Sequence, residues 1–152
     1  DGEFGRYVPY QVVRSRPVVG TSGLTPEWWH WTFERHGAPQ INSRFFDHAD
    51  RFMLGPDWAA WAAVRSLAQA VFRARTMEYE GVREFLLSDQ LRFDGYKGFQ
   101  LDYRSWNNQL RQNILVSVHN AVIARTPMEK FEHAINDLDT LGVDEPETKC
   151  QL

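Results

Sequence analysis

From Trp58 to about Arg75 the apolar positions recur at spacings of three and four. Trp58, Trp61, Val64, Leu67, Ala68, Val71 and Phe72 carry the repeat, and Arg65, Gln69 and Arg73 line the other side. That period predicts an amphipathic helix, with Gly55-Pro56-Asp57 marking the break in front of it. A shorter helix is predicted over roughly Tyr79 to Ser88, burying Val82, Phe85 and Leu86. After Gly98 the period drops to two. Phe99, Leu101 and Tyr103 alternate with Gln100, Asp102 and Arg104, as in a half-buried strand. Ile114 to Val118 and Ala121 to Ala124 read as two further strands joined by a tight turn at His119-Asn120.

The first third is less regular. Residues 7–13 are rich in β-formers, but Pro9 argues against a central strand. Pro17 to Gly20 reads as a short buried strand, and Thr21-Ser22-Gly23 as a loop. A helix is predicted next, with Thr25 as N-cap, Pro26 at its first position, Glu27 at the positive end of its dipole and Gly37 as terminator. Strand, glycine-containing loop and helix in that order form an α/β signature, whose ligands bind beyond the strand C-termini. Ala38 to Gly55 is irregular and aromatic, and Asn42–Phe46 fits either a helix or a short strand. Near the end, Met128, Phe131, Ile135 and Leu138 fit a turn-rich helix or an extended packed tail. The acidic run Asp137, Asp139, Asp144, Glu145 and Glu147 reads as a solvated tail over 137–152.

The 152 residues leave room for one domain. With 43% hydrophobic and 14% aromatic residues the chain has enough apolar surface to fold around a core. The net charge is -3, and the basic residues are fourteen arginines and three lysines without a basic stripe, so nucleic acid is not an expected partner. The one cysteine, Cys150, allows no internal disulfide. No stretch approaches the ~18 apolar residues of a membrane span, so no membrane insertion is expected. The chain starts at Asp1, and we expect a processed product or a fragment.

Chemical motifs are sparse. The five histidines, at 30, 36, 48, 119 and 133, show no zinc spacing, and the Asp47-His48-Asp50 group reads as a polar surface loop. No serine sits in a hydrolase elbow, Gly20-Thr21-Ser22-Gly23 lacks the lysine of a phosphate loop, and no dinucleotide fingerprint occurs. The chain is therefore expected to be no enzyme on its own and to carry no cofactor or metal. The densest local feature is Trp28-Trp29-His30-Trp31. On a helix these rings cannot all face one core, so they either pack against a second layer or wall a ligand cleft.

Several blocks carry a resemblance. The passage Trp58–Phe72, then Gly98-Phe99-Gln100-Leu101-Asp102-Tyr103-Arg104, then Gln109–Leu115, resembles the last third of type I periplasmic binding proteins. The blocks Gly2–Gly5, Pro17–Leu24, Gly37–Gln40, Trp106–Gln112 and Leu138–Thr148 look similar to ABC-transporter substrate-binding-like proteins associated with pyrroloquinoline-quinone (PQQ)-dependent alcohol dehydrogenases. The resemblance implies an α/β fold, the C-terminal portion of a two-lobed periplasmic binding protein, with two or more helices and a terminal set of strands.

It further implies a periplasmic solute-binding role. The partners would be a small-molecule ligand, an ABC-transporter membrane component or a PQQ-dependent dehydrogenase, and the missing N-terminal portion of the same protein. The alternative is an accessory subunit that assembles or supports the dehydrogenase. By position in that fold, Glu3, Thr21, Ser22, Trp28, Trp29 and His30 would lie nearest the cleft, with Trp28–His30 at a helix start. One departure concerns the ligand: where amino-acid-binding relatives carry Tyr-Asp-Ala-Val, this chain has Trp61-Ala62-Ala63-Val64. Fold and role are therefore carried over without a ligand.

Overall fold

The computed structural model describes residues 7–14, 16–18 and 23–149. Three helices and six short strands follow one another as β1 (Thr25–Glu27), α1 (Ala38–Ala49), α2 (Gly55–Ala74), α3 (Tyr79–Leu86), β2 (Phe93–Asp94), β3 (Gln100–Tyr103), β4 (Leu110–Arg111), β5 (Leu115–Val118) and β6 (Ala121–Arg125). The strands form two three-stranded sheets, ordered β1-β5-β6 and β2-β3-β4. Every pairing is antiparallel. The chain is thus a mixed α/β fold, and no parallel strand pair occurs among the described residues.

The periodic segments take the expected helix and strand forms, but two faces are corrected. Val64, Leu67 and Phe72 of α2 are exposed, and Asp102 and Arg104, expected on the open side of β3 and its extension, are buried because they pair with charged partners. α2 begins at Gly55, with Pro56 in its first turn, where a missing N–H costs nothing. The Asp57 carboxylate accepts the Leu54 N–H at 2.9 Å, so it caps the helix start. The same carboxylate takes a two-pronged contact from Arg51, both prongs at 2.7 Å. The guanidinium and the amide together hold the Asp57 acid at a pKa of about 2. β5 and β6 form the expected hairpin about His119-Asn120, with Val118 opposite Ala121.

The segment between Gly23 and Gly37 departs from expectation. Thr25-Pro26-Glu27 is a strand rather than a helix start, and Gly37 precedes a helix instead of ending one. The cause is tertiary. Thr25 pairs with Ser117 and Glu27 with Leu115, and as the outer strand of its sheet β1 tolerates a proline without an N–H. Trp28–His30 consequently lie in a loop rather than at a helix start. The strand expected over Pro17 to Gly20 lies partly outside the described residues. Pro17 and Val18 are irregular, although the Val18 carbonyl accepts the Leu24 N–H at 2.8 Å. Asn42–Phe46 belongs to α1.

The core gathers where α1, α2 and the two sheets meet. Trp29 and Trp58 stack at 6.1 Å between centroids, and Met53, Leu91, Phe93, Leu101 and Leu115 close around them. Trp58 also donates from its indole N–H to the Gly95 carbonyl at 3.0 Å. Two polar features are built into this core. The Lys97 ammonium, 0% exposed, donates to the carbonyls of Trp28 (3.0 Å) and Asn113 (2.8 Å) and to the Gln112 side-chain carbonyl (2.5 Å), and lies 3.8 Å over the Trp58 ring. A charge chain runs Arg92–Asp102–Arg111–Asp139–Arg104.

That chain corrects the reading of the acidic run. Asp139 is buried and tied to two guanidiniums, and Asp144 accepts from the His133 ring at 3.1 Å. The region holds short turns at Asp137–Asp139 and Glu145–Glu147 and no longer helix. Among the described residues no helix is long and apolar enough to cross a membrane.

Candidate functional site: an aromatic cleft beside the edge strand

β1 ends in Glu27 and releases the chain into Trp28-Trp29-His30-Trp31. The first link in building the site is Trp29, which turns inward. Its ring stacks on Trp58, meets Phe33 edge-on, and donates from its indole N–H to the Asn42 Oδ1 at 2.9 Å. Asn42 in turn donates to the Trp31 carbonyl at 2.9 Å, so one α1 side chain clamps the segment at two points. With Trp29 anchored inward, Trp28 is left half exposed, and Trp31 stacks on Phe52 at 4.2 Å.

A cavity of about 540 Å³ opens there. Its walls come from Pro26–Trp31, from Leu54–Pro56 at the start of α2, and from His119 in the β5–β6 turn. The volume falls within the usual range for small-molecule sites, and the mix of aromatic walls with few polar groups is their usual lining.

The polar groups have defined states. The Thr32 backbone N–H donates to His30 Nδ1 at 3.2 Å, so Nδ1 is the acceptor and the ring proton sits on Nε2. Burial holds the His30 pKa below its ordinary value. The Glu27 charge and the His119 backbone pull it up, and the His119 ring pushes it down again. Burial thus disfavours the charged form of the His30 ring, and Nδ1 is already engaged by the backbone N–H and the hydroxyl of Thr32. Glu27 differs. Its only side-chain hydrogen bond among the described residues comes from Thr25 Oγ1 at 3.3 Å. A carboxylate has room for about four such bonds. Glu27 can therefore accept from a ligand hydroxyl or ammonium.

A second cavity of about 540 Å³ lies on the other side of Trp28, against Trp58, Tyr103, Arg104 and Gln112. Most of its charged and hydroxyl groups already have protein partners. Arg104 is held by Asp139 and by the Leu138 and Leu141 carbonyls, Tyr103 by Ser66, and the Gln112 carbonyl by Lys97. This cavity offers a ligand no carboxylate, unlike the cleft at Glu27.

Of the six residues singled out from the sequence, the structure brings Trp28, Trp29 and His30 to one cleft. Glu3, Thr21 and Ser22 lie outside the described residues. Trp29 is corrected in role: at 1% exposed it is a core ring and has no free face for stacking on a ligand. Glu27 and His119 were missed as site residues. Glu27 was assigned to a helix dipole and His119 to a turn, and only the β1–β5 pairing brings them together. The described residues form no cluster of three or more metal-ligating side chains. Compared with known protein families, with curated proteins and with solved structures, the chain matches none.

Proposed function

We propose that this chain is the C-terminal part of a periplasmic, two-lobed solute-binding protein that serves an ABC transporter within a PQQ-dependent alcohol oxidation system. The sequence blocks described above support the family. The observation that carries binding is the aromatic cleft with its underused Glu27 carboxylate. A ring face on Trp28 and an acceptor at Glu27 suit a small solute with an apolar body and a hydroxyl or ammonium group.

Thermal unfolding in the presence of small alcohols, polyols, amino acids, organic acids and PQQ tests this. A ligand that fits at about one hundred times its Kd stabilises the folded chain by about 2.7 kcal/mol, a melting shift of several degrees. Glu27→Gln should weaken that ligand by tenfold or more, since a hydrogen bond to a charged group contributes about 1.5–3 kcal/mol. A melting temperature that no member of the panel moves would remove the solute-binding reading.

One observation favours the second reading, an accessory subunit for the dehydrogenase. α2 carries exposed apolar side chains beside its buried ones. Trp58, Ala62, Ser66 and Ala70 are buried, while Val64 (69%), Leu67 (50%) and Phe72 (80%) stand exposed between charged residues such as Arg65 and Arg73. Exposed apolar groups gathered on one element mark an interaction surface. In the two-lobed reading the remainder of the protein covers these side chains, and in the accessory reading the dehydrogenase does. Phe72→Ser should abolish co-purification with the dehydrogenase in the accessory case. Undiminished recovery with the variant would rule that surface out.

A further inference from the structure

We propose that a separate cavity between α1 and α2 binds a small amphipathic carboxylate, with its apolar body between Phe45, Met53, Trp61 and Tyr96 and its charged head on Arg44 and His48. The cavity holds about 310 Å³ and shares no lining residue with the cleft at Glu27–Trp31. That is room for one ring with a short side chain, at the small end of ligand sites.

The apolar walls are preformed. Met53 is 1% exposed, and Trp61 and Tyr96 pack at 5.4 Å between centroids. Tyr96 is held there against its own backbone preference. Its φ is 59°, a left-handed conformation that is rare for a bulky residue and costs about 1–3 kcal/mol. Asp94 Oδ1 secures it by accepting the Tyr96 N–H at 2.7 Å. Space for the ring is left by Gly37, where a Cβ would come within 2.9 Å of Tyr96 Cδ1. Strain of this kind persists where surrounding structure imposes it, and it concentrates at ligand sites.

The sign of the ligand follows from the rim. Asp57 lines the cavity, but its carboxylate is occupied by Arg51 and the Leu54 N–H, so it offers little to a cation. Arg44 and His48 stand one helical turn apart on the same side of α1. Among the described residues neither has a hydrogen-bond or ion-pair partner. A planar carboxylate matches the guanidinium fork, and the His48 ring next to it can donate a further bond.

The test uses the whole chain labelled with nitrogen-15 and titrated with 3-phenylpropionate, then with its neutral amide. The acid should bind with a Kd on the order of 0.1–1 mM, as expected of a ligand this small. It should move the Trp61 indole signal and leave Trp28 in place. It should bind about fivefold tighter than the amide, the size of one exposed charge pair, and Arg44→Gln should remove that preference while leaving the spectrum otherwise folded. Equal binding of acid and amide, a preference that survives in Arg44→Gln, shifts at Trp28 instead of Trp61, or no shift up to about 10 mM would each overturn the proposal.

Discussion

Asp139→Ala should lower the stability of the chain by about 3–5 kcal/mol, read as a fall in the urea midpoint, because it leaves buried guanidinium charge uncompensated. Asp139 is the hub of the charge chain. Arg104 Nε reaches it at 2.6 Å and Arg111 Nε at 2.9 Å, with Arg104 and Asp139 both about nineteen-twentieths buried. Arg104 keeps the carbonyls of Leu138 and Leu141 in the variant, but these satisfy its N–H groups without neutralising it. Arg111 keeps a longer contact to Asp102 at 3.3 Å, and Asp102 is already shared with Arg92. The loss should also free the turn at Asp137–Asp139 from β3 and β4, which Trp106 helps to hold through its indole bond to the Val143 carbonyl. A cost below about 1 kcal/mol, the level of an exposed pair, would show that the chain tolerates the bare guanidiniums and that the tail is not anchored by charge.

The second large effect is a pH dependence. Burial pushes the Lys97 pKa down from 10.5 to about 7, and no carboxylate stands among its hydrogen-bond partners. Between these two values the unfolded chain binds the proton and the folded chain does not. Stability therefore rises with pH from about 7 towards 10.5, and below about 7 the folded state carries the full cost of the buried ammonium. Across the whole window the contribution amounts to roughly 4–5 kcal/mol. Other groups titrate in the same range, so the measurement is the difference between the protein and Lys97→Met in urea unfolding from pH 7 to 10. The protein should gain on the variant as pH rises. Parallel curves would mean that the Lys97 ammonium is not desolvated on folding.

The two devices have different origins. The charge chain draws on residues of ordinary surface type, and the sequence pattern offered no reason to take Asp139 out of a solvated run. Lys97 sits between Gly95-Tyr96 and Gly98, where no apolar period sets a buried position. Both become interior because distant segments supply their partners: the tail for Arg104, and the Trp28 loop and the Gln112-Asn113 segment for Lys97.

What the sequence determined by itself was the set of locally encoded elements. α2, α3, the β3 strand and the β5–β6 hairpin follow from a period of 3.6 or 2 and from turn residues, all within one short window. Only the tertiary structure decided the rest. Thr25-Pro26-Glu27 carries good helix-start chemistry, yet its pairing with β5, far along the chain, outweighs that preference, since capping contributes only about 1 kcal/mol. The same pairing decides that Trp29 goes into the core, that Trp28 stays at the surface, and that Glu27 meets His119. The facing direction of a side chain in an irregular loop has no period to reveal it and is set by the partner it packs against.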